Sequence, residues 1–454
     1  MTTTFFRVLF AGTLFSVLFI QLSLAQISID SEKLDQYLSE LEEYDKFMGS
    51  VTVLHGDDVI FQNAYGFGDA DQNPVHSESV YRIGSITKSY TAALILKLVE
   101  EGELELSDKL YRFYPDIPNA DKITIEQLLR HRSGLYNFTN NPDYAEYYEG
   151  EKSKEELLSL FINYGTNFEP GENFEYSNTA YVLLGYIIEN TTGLSYDDVL
   201  EKYITEPLGL NRTYFGTGIN SERDEVHSFT YQENWTVAPQ TNMIIPHGAG
   251  ALVSTSEEVA RFYRHLFEGD LLSDESLGKM TDLTENFGLG IFQVPFHDKT
   301  ALGHNGGIDG FQSSAAYFSD DEISFALLGN AVNYPANDIT IAILSAVFGH
   351  DFEIPDFESE AEIIELTEDQ LEAYTGTFTS EAFPLDIEIF IQNGNLMAQA
   401  TGQGAFPLTA NTPTIMRFDP AGIVIEFDDL VADKYRSMEL RQSGQQFRFS
   451  LINL

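Results

Sequence analysis

Apolar residues along the chain fall into three textures. From Val8 to Leu24 they run nearly unbroken, interrupted by Gly12, Thr13, Ser16, Gln21 and Ser23. Over the next three hundred residues, helical spacing alternates with strand spacing. After Pro355 only short two-residue alternation remains.

In the middle region, Leu34, Tyr37, Leu38 and Leu41 recur at helical spacing and predict a helix within Ser31–Phe47. Gly49–His55 and Val59–Tyr65 read as two strands around the turn His55-Gly56-Asp57-Asp58. Ser85–Glu101 is apolar on nearly every side and stops at Gly102, so that helix must be buried. Thr124-Ile-Glu-Gln127 is a capping box opening a helix expected to end near Gly134. Further helices are predicted at Lys154–Tyr164, Asn178–Asn190, Ser195–Tyr203 and Ser256–Phe267, and strands and turns from Gly288 to Leu328. The mixture predicts an α+β domain of helices packed on an antiparallel sheet. Beyond an acidic linker at 356–365, seven short runs from Tyr374–Phe378 to Gln446–Leu451, with Asn393-Gly394 as a turn, predict a small antiparallel barrel or sandwich over 366–454.

The first texture is an address. One charged residue, Arg7, precedes the apolar run, and Ser23 and Ala25 occupy the small-residue positions of a cleavage site. Residues 1–25 therefore read as a signal peptide cut after Ala25, leaving the main domain at 26–355. The exported protein is expected in the periplasm or outside the cell, with no stable membrane insertion after cleavage. An uncleaved anchor through residues 8–24 is the other reading.

The 454 residues carry 71 acids against 25 bases, a formal net charge of −46, and no cysteine. Such a surface repels phosphate, which excludes a nucleic-acid partner. The acidity has a similar density before and after residue 360, so it reads as solvation, suited to a saline medium, rather than as a docking patch. Without cysteine there are no disulfides, thiolate metal sites or thiol nucleophile. The nine histidines are scattered and no H-E-x-x-H spacing occurs, so neither metal nor cofactor is expected.

Three short segments carry chemistry. Ser85-Ile-Thr-Lys88 places a hydroxyl and an amine one turn apart at the start of the buried helix. A desolvated lysine can take the serine proton. Tyr176-Ser177-Asn178 sits in a turn before an apolar helix. A tyrosine beside a lysine ammonium can titrate below its free value and relay protons, while Ser177 or Asn178 can cap the helix. His304-Asn305-Gly306-Gly307 offers glycines that let a strand edge approach a ligand and expose an N–H. Taken singly, each segment reads more readily as a cap or a turn.

In this order the three resemble the serine β-lactamase and penicillin-binding-protein superfamily, in the branch of class C β-lactamases, D-alanyl-D-alanine carboxypeptidases and related esterases. Tyr81-Arg-Ile-Gly-Ser-Ile-Thr-Lys88, Phe168-Glu-Pro-Gly-Glu-Asn-Phe-Glu-Tyr-Ser-Asn178 and Gly303-His-Asn-Gly-Gly307 carry the resemblance over about residues 30–350. It implies a β-lactamase/transpeptidase-like fold with an all-helical subdomain, and the tail resembles the lipocalin-like barrels appended to such hydrolases. It also implies an acyl-enzyme on Ser85, with Lys88 as proton acceptor and Tyr176 as relay. Asn178, His304 and Gly306 would bind substrate, and the N–H groups of Ser85 and Gly307 would form the oxyanion hole. The expected substrate is a small peptide, amide or ester, as for a D-alanyl-D-alanine carboxypeptidase or an esterase. Histidine at 304, where many β-lactamases carry lysine, weakens the anchor for a β-lactam carboxylate and makes β-lactamase the alternative. A non-catalytic peptidoglycan-fragment binding protein is the alternative of another class. Oligomeric state is not legible in the sequence.

Overall fold

The computed structural model describes residues 29–357 and 363–452, apart from 381, 384, 419, 420, 443 and 444. The expected signal peptide, and positions 358–362 of the expected linker, lie outside these residues.

The main sheet is antiparallel along its central path. Its order runs Asp58–Tyr65, Phe47–His55, Ile323–Val332, Phe311–Phe318, Lys299–Ile308 and Phe292–Phe296. A small hairpin, Phe229–Tyr231 with Trp235–Val237, joins the Ile323 strand through one parallel pairing, Ala331 with Phe229. The first two strands are the predicted hairpin, now closed by a tight turn at Gly56 and Asp57. The central Ile323 strand is buried on both faces, which explains its nearly continuous apolar sequence. Its Ile323, Phe325 and Leu327 face the helices Ser31–Glu43 and Ala336–Phe348, while Ala326 and Leu328 face the larger helical layer.

The Ser31 helix ends at Glu43, four residues short of the expected limit, because Asp45 takes a left-handed φ of 55° and Phe47 already pairs with Val332. The capping box at Thr124 forms both of its hydrogen bonds. Its helix stops at Leu129 rather than near Gly134, since His131 turns the chain at φ 56°. Ser256–Phe267 has the predicted limits, with Thr255 as its cap. The helices Asp274–Thr281 and Ala336–Phe348 add to those expected.

The chain then forms a nine-stranded antiparallel sheet, nearly closed into a barrel, with Phe406–Pro407 and Thr409–Ala410 at its two edges. A short helix, Glu368–Leu371, precedes it, so the tail is not free of helix. The barrel has its own apolar core. Phe427, 1% exposed, packs 5.1 Å from Tyr374 and 5.6 Å from Tyr435. That interior is filled by side chains, as in other small barrels.

Because the barrel core shares no residue with the apolar cores of the main domain, Phe427→Ala is expected to cost the barrel about 3–5 kcal/mol. Calorimetry should show one lowered transition and one unmoved. A single transition shifting as a whole would mean that the two regions unfold together.

Candidate active site

Ser85 sits in a single 3₁₀ turn, Gly84–Ile86, that runs directly into the buried helix Thr87–Glu100. The turn depends on Gly84, whose φ is +51° and whose missing Cβ would fall 2.8 Å from the main-chain nitrogen of Gly307. The turn is thereby pressed onto the Lys299–Ile308 strand, and Ser85 and Gly307 line the same cleft of about 420 Å³.

Lys88 is fully buried. Its Nζ lies 2.9 Å from Ser85 Oγ, 2.8 Å from Asn178 Oδ1 and 2.7 Å from the Ala249 carbonyl. Burial pushes its ammonium well below the ordinary lysine value. A neutral amine has two N–H groups and one lone pair. The Ala249 and Asn178 oxygens can only accept, so both N–H groups are committed to them. The lone pair is left facing the Ser85 hydroxyl, the arrangement a base needs.

Tyr176 packs with its ring centre 4.9 Å from Lys88 Nζ. Burial raises its phenol well above the ordinary value, against an opposing interaction with Ser85. This reverses the expectation that a neighbouring ammonium would lower it. The lysine is itself buried and driven toward neutrality, so desolvation decides both groups. The pair therefore holds its proton on the tyrosine and its lone pair on the lysine.

Ser177 caps the helix Asn178–Thr192, accepting from the Ala180 N–H at 3.4 Å. Asn178 spends its carboxamide locally: Oδ1 accepts from Lys88, and Nδ2 donates to Thr139 Oγ1 at 3.0 Å. A substrate amide would have to share these bonds.

His304 lies on the Lys299 strand, 4% exposed, with its ring 5.0 Å from Phe292 and 6.3 Å from Tyr176. Burial pushes its pKa down to about 3. A histidine so held is neutral and offers no charge to a carboxylate. Gly306 sits where a Cβ would be 2.1 Å from the Ile83 carbonyl oxygen and 2.3 Å from Ser313 Oγ. Its bareness lets the strand close against the chain two residues before Ser85.

Two features had no role in the sequence reading. Arg82 and Asp309 form an ion pair at 2.7 Å with both side chains 1% exposed. Arg82 also donates to the carbonyls of Thr241 and Thr217, and Asp309 accepts from Thr241 N–H and Oγ1. The pair ties the approach to Ser85 to the turn after Gly307. A lone arginine inside the apolar Tyr81-Arg-Ile-Gly run was its signal. His131, 3% exposed, stacks on Tyr176 with ring centres 4.3 Å apart. Among the described residues lining the cleft, Asp309 is the one charged side chain, and Arg82 neutralises it.

The profile of the Beta-lactamase family matches residues 34–348. Penicillin-binding protein 4* of Bacillus subtilis (strain 168) is 25% identical over 440 residues, covering 89% of this chain and 95% of that protein. The crystal structure of D-amino acid amidase from Ochrobactrum anthropi SV3, complexed with L-phenylalanine amide, has a TM-score of 0.61 and 25% identity over 70% of this chain and 99% of that one. The octameric penicillin-binding protein homologue from Pyrococcus abyssi has a TM-score of 0.63 at 24% identity, and its match extends over 93% of this chain and all of that one, so the likeness in fold includes the barrel.

The approach at Gly306 supplies a direct test. Gly306→Ala forces a Cβ into backbone at 2.1 Å and is expected to cost about 1–3 kcal/mol of stability. Thermal unfolding measures the loss. An unchanged melting temperature would mean the strand stands off freely from Ile83.

Proposed function

The chain belongs to the Beta-lactamase family, and from that premise we propose that it is an exported serine hydrolase forming an acyl-enzyme on Ser85 with neutral amide or ester substrates. The observation that carries this reading is the Lys88 amine, bonded to two obligate acceptors and 2.9 Å from Ser85 Oγ. In the proposed cycle Lys88 takes the Ser85 proton as Oγ bonds to the substrate carbonyl carbon. Main-chain N–H groups of Ser85 and Gly307 receive the developing oxyanion. Tyr176 gives its proton to the leaving nitrogen or oxygen as the old bond breaks, and the proton on Lys88 replenishes the phenol. Water then repeats the attack in the opposite sense and releases the acid. Asn178 holds Lys88 in place and contributes to substrate binding at the same edge.

Preference for an uncharged acyl donor rests on the cleft. His304 is buried, and Asp309, the charged side chain in the lining, is cancelled by Arg82. A β-lactam or a peptide with a free C-terminal carboxylate would find no cation there, and the net charge of −46 repels anions at long range. This favours an amidase or esterase over a D-alanyl-D-alanine carboxypeptidase or a β-lactamase. The D-amino acid amidase neighbour is complexed with L-phenylalanine amide, which carries no carboxylate. Export rests on the apolar run Val8–Leu24 and the small residues that follow it. Among the described residues no helix is long and apolar enough to cross a membrane.

Labelling with a neutral fluorophosphonate, followed by peptide mapping, should find the adduct on Ser85 and none in Ser85→Ala. Turnover surviving in Ser85→Ala would sink the mechanism. Tyr176→Phe should lower amide turnover by about 10²–10⁴. Matched neutral and anionic esters at low salt should differ in kcat/KM in favour of the neutral one, and equal values would end the charge argument.

The pH profile has a defined sign. Lys88 accepts a proton only when neutral, so the rate should rise with pH through its folded pKa, which burial sets well below the ordinary lysine value. Tyr176 donates only when protonated, so the alkaline fall should lie above the ordinary phenol value, because burial raises it. An acidic limb at the free lysine value would count against Lys88 as the base.

A further inference from the structure

We infer that His131 is the positioning residue for Tyr176, fixing the main chain on both sides of the tyrosine and one face of its ring. The inference rests on the proton-transfer role proposed for Tyr176.

The segment from His131 to Tyr136 runs alongside 165–177 and is joined to it rung by rung. Tyr136 N–H donates to the Gly165 carbonyl at 3.2 Å, and Asn167 N–H to the Gly134 carbonyl at 2.8 Å. Gly171 N–H donates to the Arg132 carbonyl at 2.8 Å. The last two rungs both end on His131: Glu175 N–H donates to its carbonyl at 3.0 Å, and Ser177 N–H to its Nδ1 at 3.1 Å. The residues before and after Tyr176 are thus held by one side chain and its own backbone.

The ring completes the clamp. It lies 4.3 Å from the Tyr176 ring at an interplanar angle of 31°, and 5.0 Å from Tyr181. Phe174 meets it edge-on at 6.0 Å. Tyr181 is itself anchored, its hydroxyl donating to the Leu129 carbonyl at 2.7 Å. The left-handed φ of 56° at His131 turns the ring back toward this stack.

Histidine combines two properties that this position uses. An aromatic face stacks on the phenol, and a ring nitrogen with a free lone pair accepts the Ser177 N–H. Ser177 is 1% exposed, so its N–H has no water to fall back on. Accepting at Nδ1 places the ring proton on Nε2 and requires a neutral ring. Burial keeps the ring in that state. Phenylalanine would keep the stack and orphan the N–H. Asparagine would keep an acceptor, with its Oδ1 near the place of Nδ1, tolerate the left-handed φ and lose the stack.

The test uses leaving groups of one acyl series on the full-length protein. A p-nitrophenolate leaves without being protonated, whereas an anilide nitrogen must receive a proton, so the anilide depends on a well-placed Tyr176. Pre-steady-state acylation is measured per titrated Ser85 for both substrates in His131→Phe and His131→Asn. In His131→Phe, anilide acylation should fall about a hundredfold while the ester burst stays within about threefold. In His131→Asn, which retains the acceptor, the anilide should fall less.

Equal losses on both substrates would mean that His131 supports the fold generally, and no loss on either would mean that Tyr176 is held without it. Either result overturns the inference. If Ser85→Ala retains activity, it is the reading of the whole site that fails. If Ser85→Ala is inactive and the two substrates fall together, only the role of His131 is lost. Should His131→Phe not fold, the anilide-to-ester ratio in His131→Asn decides alone: a ratio equal to that of the unmodified protein overturns the inference.

Discussion

Burial of the Lys88 amine is the constraint around which the rest of the site is arranged. A desolvated ammonium is costly unless its hydrogens are matched, and here three partners from three parts of the chain converge on one nitrogen. Ser85 comes from the same helix one turn earlier, Asn178 from the start of another helix, and Ala249 from a turn in a distant loop. Each must hold its position for the lysine to be satisfied, and each is held. Ser177 caps its helix, Asn137 Oδ1 accepts the Asn178 N–H at 3.0 Å, and Gly84 fixes the Ser85 turn. The desolvation that lowers the lysine also raises the tyrosine, so one physical cause prepares a base and an acid side by side.

Close backbone contact does the remaining positioning. Gly84 and Gly306 let the Ser85 turn and the Lys299 strand touch main chain to main chain. The Arg82–Asp309 pair fastens the two elements from behind. An ion pair this buried is weak evidence of stability, because the desolvation of both charges offsets their attraction. Its consequence here is geometric: removing one partner would strand the other in the interior beside the cleft.

The acidity of the chain belongs to a different scale from the chemistry of the site. The −46 charge is spread along the sequence, whereas the cleft lining has one carboxylate and an internal counterion for it. The surface therefore sets which solutes approach, and the neutral lining sets which are held. Both act in the same direction, against anionic substrates, and salt should weaken only the first.

Much of this protein was legible in the order of its residues. The Ser85-to-Lys88 spacing, the Tyr176-Ser177-Asn178 turn and the His304-Asn305-Gly306-Gly307 run marked the site. The helical period of Ser256–Phe267 gave that helix its limits, and short alternating runs from Tyr374 onward marked the barrel strands. These are local properties, set by the geometry of a few neighbouring residues. Other properties depend on what lies across space. Whether Tyr176 is pushed up or down turns on its own burial, which raises it, and no spacing reports burial. His304 reads as a weak anion anchor, and only its burial beside Phe292 and Tyr176 takes its charge away altogether. His131 and the Arg82–Asp309 pair act only through partners that folding brings beside them. Desolvation and close packing are cooperative quantities of the assembled chain, which is why the sequence could mark the reacting atoms and only the tertiary structure decided their protonation and their supports.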